Sequence, residues 1–253
     1  MKIVDNSGEN VDKTNFKNNF LANIMLSHKG EIDDLVRSHG VPNVSIKSDN
    51  SPVTDLDLAL SGLIEEISKS NFPGSIFYSE EKFSHWGFPL LALDPLDGTR
   101  EYVARRPEWA LSIGHFLTNK FEGEGWVYNP VTGEHFDQGA LLEFQKKEVY
   151  LGEVSRSELE SGLFNFQDND LLIKPMGSIA YKLGRLSAGK CDFVVSLRPK
   201  SIWDIAGGAL LCQQAGLKFY SAGHLVTSVE RVYQPPLIWC HEGLSLRLLG
   251  SFA

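Results

Sequence analysis

The residues with the clearest chemical potential lie in Leu91–Tyr102, LALDPLDGTREY, where Asp94 and Asp97 stand three positions apart. A short apolar run, Pro89–Leu93, ends at the first acid, and Gly98-Thr99 follows the second. The pattern predicts a buried strand that delivers two carboxylates to its own exposed end. In α/β architectures ligands sit in the crevice beyond the carboxyl ends of strands, so acids placed there are candidates for metal or proton chemistry. Pro95 fixes the backbone between them, and Gly98 admits a ligand close to the main chain. Asp, Pro and Gly are also the commonest turn residues, so this motif alone fits a plain turn equally well.

Other acids fall at comparable places. Thr54 stands where an N-cap belongs, ahead of a helix marked by Leu56, Leu60, Leu63, Ile64 and Ile67, which puts Asp55 and Asp57 in the first turn. There they could serve only the helix dipole. Ser75–Tyr78 reads as a short strand that ends at Ser79-Glu80-Glu81, and Asp204 opens a helix in Ser201-Ile202-Trp203-Asp204. Asp57, Glu80, Asp94, Asp97 and Asp204 form a set of hard oxygen donors with no thiolate or imidazole partner, which suits Mg²⁺ or Mn²⁺ and disfavours zinc. Clusters of two or three such ions are how phosphatases clamp the attacking and leaving oxygens of phosphoryl transfer.

The elements that must position these groups can be read from hydrophobic spacing. Asn15 to about Arg37 predicts one long amphipathic helix stopped by Gly40-Val41-Pro42, and Lys47–Pro52 a polar loop. Arg100–Arg106 predicts a short helix. Trp109–Thr118, Glu124–Asn129 and Glu134–Gln138 predict successive antiparallel strands, with a further strand at Lys146–Leu151. Ser155–Asp170 is polar and weakly patterned, a seam between two halves. Beyond it come helices at Ser178–Ala188, Trp203–Ala215 and Leu244–Leu249, and strands at Asp192–Leu197, Leu217–Tyr220 and Pro236–Cys240. We expect residues 1–155 to form an α+β half carrying most of the metal ligands, residues 156–253 an α/β half, and the two one integrated domain.

With 253 residues, 42% of them apolar, the chain can bury a substantial core. Its net charge of −8, spread without long like-charge blocks, argues against binding a nucleic acid polymer. No apolar stretch reaches membrane-spanning length and Met1–Asn19 lacks the core of a signal peptide. Three cysteines without CxxC spacing suit a reducing compartment, so the cytoplasm is the expected location.

Four motifs in order carry a family resemblance. Asp94-Pro95-Leu96-Asp97-Gly98-Thr99 and Trp203-Asp204-Ile205-Ala206-Gly207 resemble the two signatures of the inositol monophosphatase family of metal-dependent, lithium-sensitive phosphatases. Glu80-Glu81 and Val53-Thr54-Asp55-Leu56-Asp57 resemble its upstream acid segments. The resemblance implies an α/β layered sandwich of alternating αβαβα layers with the site between the halves. It implies that Glu80, Asp94 and the Leu96 carbonyl hold one metal ion, and Asp94, Asp97 and Asp204 a second, with two or three Mg²⁺ ions in all and Mn²⁺ as a substitute. Thr99 with Asp57 would orient and deprotonate the attacking water. The amides of Gly98 and Thr99 would hold phosphate oxygens, and Gly177-Ser178 would line the substrate pocket. A homodimer is also consistent with the resemblance.

The substrate expected is a small phosphate ester. Arg100-Glu101-Tyr102 after Thr99, and the run Asp49-Asn50-Ser51-Pro52-Val53-Thr54, resemble the 3'(2'),5'-bisphosphate nucleotidase branch, which converts adenosine 3',5'-bisphosphate to AMP and phosphate. Leu197 stands where the inositol enzymes carry a hydroxyl-binding glutamate, and Arg198 and Lys200, with Lys182, could meet a second phosphate. Ile179 departs from the nucleotidase pattern, in which a second Ser is usual. The alternatives are an inositol 1-phosphate or other sugar or polyol phosphatase, and an idle relative that binds or regulates.

Overall fold

The computed structural model describes residues 19–40, 42–46, 52–82, 85–164 and 168–252. In chain order the described elements begin with α1 (Phe20–Ser27), α2 (Lys29–Ser38), β1 (Val44–Ile46), β2 (Pro52–Thr54), α3 (Asp55–Asn71), β3 (Ile76–Ser79), β4 (Leu90–Asp97) and α4 (Thr99–Val103). There follow β5 (Ala110–Phe116), β6 (Gly123–Tyr128), β7 (His135–Phe136), β8 (Tyr150–Ser155), α5 (Arg156–Glu160), β9 (Leu171–Met176), α6 (Ile179–Ser187) and β10 (Phe193–Ser196). The chain closes with β11 (Lys200–Ser201), α7 (Ile202–Gln214), β12 (Lys218–Ser221), β13 (His224–Leu225), β14 (Val232–Tyr233), β15 (Leu237–Cys240) and α8 (Glu242–Phe252).

Two sheets dominate. One has the order β3-β4-β5-β6-β7, antiparallel except for the parallel β3–β4 pair; the other has the order β13-β12-β15-β10-β8-β9. Strand alternation shows how the layers stack. Leu91 and Leu93 of β4 enter a core with Leu56, Leu60 and Ile64 of α3 and Leu21 and Met25 of α1, whereas Leu90 and Ala92 face the opposite core. That second core holds Ile179 and Leu183 of α6, Ile205 and Ala209 of α7, and Val194, Leu237 and Trp239 from the second sheet. The far face of the second sheet, with Phe193, Val195, Ile238 and Cys240, packs on Leu244 and Leu248 of α8. The result is the αβαβα sandwich, with α6 and α7 as its middle layer.

Small residues let α7 lie flat on the first sheet. A Cβ at Gly207 would stand 2.5 Å from the Trp126 carbonyl oxygen, and one at Gly114 would stand 2.8 Å from the carbonyl carbon of Ala206. The Ala-Gly pair of the second motif therefore sets the distance between helix and sheet, and with it the position of Asp204 at the helix head.

The structure departs from the sequence reading in several places. The long first helix is two, broken at His28, because Ser27-His28-Lys29-Gly30-Glu31 interrupts the apolar stripe for a full turn; its expected start at 15–18 lies outside the described residues. The focal strand does not stop at Asp94 but runs to Asp97 through a bulge between the two acids, where Pro95 needs no ladder partner. The strand expected at Lys146–Leu151 begins only at Tyr150, and β9 is a strand the sequence does not predict, because Lys174 and Pro175 disguise it; as an edge strand it tolerates the proline. The polar seam contains α5, and its residues 165–167 lie outside the described set, as do 47–51 of the polar loop.

Candidate active site

Asp94 and Asp97 flank the β4 bulge, and the turn after them enters α4 through Gly98, whose φ of +98° is left-handed. A Cβ there would come within 3.1 Å of Trp109, so glycine serves both conformation and space. Glu80 follows β3, and its amide donates to the Leu93 carbonyl, which ties that acid beside Asp94. Asp204 arrives from the other direction at the head of α7.

Glu80, Asp94, Leu96, Asp97, Gly98, Thr99, Gly177, Ser178, Arg198, Lys200 and Asp204 all line one cleft of about 280 Å³. Asp57 does not line it. It lies buried just behind, where Oδ2 accepts from the Thr54 amide at 2.8 Å and from Thr54 Oγ1 at 2.5 Å, and Oδ1 accepts from Thr99 Oγ1 at 3.4 Å. Asp57 is therefore both the helix-capping acid and the partner of Thr99, one oxygen for each. Thr99 Oγ1 also approaches the Leu96 carbonyl at 3.2 Å.

Three cleft acids are pinned by one oxygen each. Asp94 Oδ1 accepts from the Leu96 amide at 2.9 Å, Asp204 Oδ2 from the Ser201 amide at 2.8 Å, and Asp97 Oδ2 from Ser178 Oγ and the Ala180 amide, both at 2.6 Å. Among the described residues no hydrogen bond engages the second oxygen of any of the three. Burial, and then the negative charges of Glu80, Asp97 and Asp204, push the Asp94 carboxyl well above the ordinary range. Burial also raises Asp204 to about 7, against the pull of Lys200, and raises Asp57 to about 6 despite its bonds to Thr54.

Four acids that repel one another in a half-buried cleft call for a cation. Among the described residues no three carboxylate or imidazole side chains form a ready chelate, so the fit rests on the donor set. Hard oxygens, each fixed through one atom and unengaged at the other in the three aspartates, suit a small divalent cation that keeps some of its water.

The cleft also contains Arg100 and Glu101 of the nucleotidase-like run, and groups that no motif singled out: Ser155, Ser157, Glu158 and Ser196. Glu158, from the seam, is buried and accepts from Ser196 Oγ at 2.8 Å and from the Leu197 amide at 2.7 Å. A carboxylate thus stands beside Leu197, supplied by another element; only its position in a weakly patterned acidic stretch hinted at it. Lys182 is buried, and burial lowers it to about 8. Arg198 is exposed at the rim. Asp49-Asn50-Ser51, part of the nucleotidase-like run, lie outside the described residues.

A layered αβαβα sandwich with a carboxylate-rich cleft between its halves defines a class of metal-dependent phosphatases. Residues 9–239 match the inositol monophosphatase family, and the chain belongs to that family. The Nus factor SuhB of Pasteurella multocida is 27% identical over 221 residues, which cover 74% of this chain and 82% of that protein. The Thermotoga maritima IMPase structure superposes with a TM-score of 0.76 at 22% identity, covering 90% of this chain and 96% of that one. An IMPase/NADP phosphatase complexed with Mg²⁺ and phosphate gives a TM-score of 0.76 at 15% identity, covering 91% and 94%. The protein is accordingly a metal-dependent phosphoric monoester hydrolase of a Mg²⁺-dependent family. No helix among the described residues is long and apolar enough to cross a membrane.

Proposed function

We propose that this chain hydrolyses a nucleoside bisphosphate, adenosine 3',5'-bisphosphate to AMP and phosphate, with Asp94, Asp97, Asp204, Glu80 and the Leu96 carbonyl as metal ligands. The observation that carries the reading is the gathering of Lys182, Arg198 and Lys200 around the same cleft as the acids. One phosphoryl group has its place on the metal side, and a second anionic group would meet these cations. Mg²⁺, when bound, supplies the positive charge that neutralises the phosphoryl oxygens and lowers the pKa of the attacking water. Thr99 Oγ1 would take the water's proton as it passes its own to Asp57 Oδ1, and burial has raised Asp57 into the range of a working base near neutral pH. The amides of Gly98 and Thr99, where β4 turns into α4, hold phosphate oxygens, and Gly177-Ser178 lines the leaving-group side. The division near residue 155 is proposed to separate the half that carries most metal ligands from the half that reads the substrate.

A second reading, a sugar or polyol phosphatase, is favoured by Glu158. Its buried carboxylate beside Leu197 offers an acceptor for a hydroxyl where the sequence shows an apolar residue. A phosphate-release assay with Mg²⁺ on adenosine 3',5'-bisphosphate, inositol 1-phosphate, fructose 1,6-bisphosphate and histidinol phosphate separates the two. A higher kcat/KM for the nucleotide supports the first; a higher value for inositol 1-phosphate replaces it with the second.

A further inference from the structure

The turn Gly177-Ser178 is held in an unfavourable shape. Ser178 has φ +47° and ψ 115°, a left-handed backbone in a residue with a side chain. Something must over-determine it. The peptide of Gly177 is gripped from both sides by charged groups: Glu108 Oε2 accepts from its amide at 2.8 Å, and Lys182 Nζ donates to its carbonyl at 3.2 Å and to that of Met176 at 3.2 Å. No Cβ fits at Gly177, since one would stand 2.6 Å from the Glu108 carbonyl oxygen and 2.3 Å from Glu101 Cγ. Glu108 is itself fixed by Arg156, whose Nη2 donates to Oε1 at 2.8 Å and to Oε2 at 2.6 Å. So Glu108 from the segment before β5, Arg156 from α5 and Lys182 from α6 clamp the two peptides on either side of Gly177 in the β9–α6 turn.

What the clamp delivers is visible one residue on. Ser178 Oγ and the Ala180 amide both donate to Asp97 Oδ2, so the strained turn brings two donors onto one oxygen of that carboxylate and leaves the other unengaged. We propose that Arg156, Glu108 and Lys182 are positioning residues that hold the Gly177-Ser178 turn against Asp97, so that this acid is preset to receive the divalent cation. The inference rests on the assignment of Asp97 as a ligand. Groups that orient a ligand without touching the metal commonly cost about ten- to a hundredfold in metal affinity when removed.

The test is Mn²⁺ binding to the full chain without substrate, read by calorimetry and by the resonance of free Mn²⁺, beside the melting temperature. Arg156→Met, Glu108→Gln and Ser178→Ala should each raise the Mn²⁺ Kd by about tenfold or more. Arg156→Met combined with Ser178→Ala should be no worse than Ser178→Ala alone, and Arg156→Lys should recover part of the loss. In turnover, kcat at saturating Mg²⁺ should move less than the Mg²⁺ concentration required. The reference is Arg247→Met, which breaks the ion pairs of Arg247 with Asp168 and Asp170, none of which lines the cleft. A Kd that stays at the wild-type value while the melting temperature falls as in that reference overturns the proposal, as does an additive double variant. If Arg156→Met does not fold, the near-isosteric Glu108→Gln decides on the same criterion. Asp97→Asn keeps the two failures apart: if it leaves Mn²⁺ binding intact, the ligand assignment falls and the clamp with it. If it weakens binding while the clamp variants do not, the clamp alone is refuted.

Discussion

The two walls of the cleft are built by different rules. On one side Asp94 and Asp97 share a single bulged strand, and Glu80 is tied by its amide to the neighbouring residue Leu93. Asp57 belongs to the same group, because the cap it forms on its own helix holds it in register with Thr99. These acids are placed by turns, strand tips and caps a few residues long. On the other side Lys182, Arg198, Lys200 and Glu158 come from α6, the loop after β10, β11 and α5, and only the packing of the second sheet brings them together. Asp204 and the donors to Asp97 apart, the wall that would do the chemistry is built from residues 57–99, and the wall that would choose the substrate is tertiary throughout. Variants should therefore divide into those that stop the reaction whatever the ester and those that redirect it.

The largest effect is expected on the local wall. Asp94→Asn removes the acid assigned to both metal ions, and turnover of every ester should fall to assay background. The metal-free variant should nevertheless melt at or above the wild-type temperature, because burial and three neighbouring negative charges disfavour ionised Asp94. Near-normal kcat would end the metal assignment. Next come Thr99→Ala and Asp57→Asn, each lowering kcat by roughly two to four orders of magnitude, the usual range for a positioned general base, for all substrates alike. The double variant should lie close to the worse single one. Multiplied losses would leave Asp57 as no more than the capping acid of α3.

The same division explains what the sequence disclosed. The acids were legible because each lies at an element boundary with a local signature: an apolar run before Asp94, an N-cap before Asp57, a helix head before Asp204. The layers came from the family resemblance alone, and the structure shows how they stack, with β4 and β15 residues alternating between neighbouring cores. Glu158 was hidden because its role depends on Ser196 and Leu197, 38 and 39 residues away, and nothing local distinguishes it from Glu160. Leu197 marks the absence of a glutamate at that position, and the carboxylate beside it comes from Glu158 of α5, which only the fold brings there. β9 escaped because Pro175 is penalised in a central strand and tolerated only at an edge, a distinction that topology alone makes.

On the tertiary wall effects should be smaller and selective. Arg198→Ala should lower kcat/KM for adenosine 3',5'-bisphosphate by roughly ten- to a hundredfold, the equivalent of losing one charge-assisted contact of about 1.5–3 kcal/mol, and change inositol 1-phosphate turnover far less. Glu158→Gln should show the reverse preference if the polyol reading holds. Equal losses on both esters for Arg198→Ala would mean that Arg198 contributes only the general field of the cleft.

The smallest effect concerns the protein without metal, and its sign follows from the acids. Asp57 is raised to about 6 and Asp204 to about 7, above the ordinary carboxylate value of about 3.9, chiefly by burial in both. The folded state therefore binds these protons more tightly than the unfolded chain does. The stability this confers is complete below about pH 4 and is lost as pH rises through 6 and 7. Carboxylates lowered by hydrogen-bonded cations, Glu65 and Asp168 among them, act in the opposite sense, but their window lies below about pH 5. Lys182, lowered by burial to about 8, also acts in the opposite sense, adding stability only as pH rises beyond that value. Between pH 5 and 8 the two raised acids outweigh His115, which burial lowers from the ordinary histidine value and which acts in the opposite sense as pH rises toward 6.5, so the melting temperature of the metal-free protein should fall across that interval by several degrees, at about 2–4 °C for each kcal/mol. Saturating Mg²⁺ should flatten the fall, because the cation takes over the charge balance that protons supply at low pH. A metal-free melting temperature that is level or rising from pH 5 to 8 would mean that Asp57 and Asp204 are not raised in the folded chain, and the part of the case for a cation that rests on burying these charges would go with it.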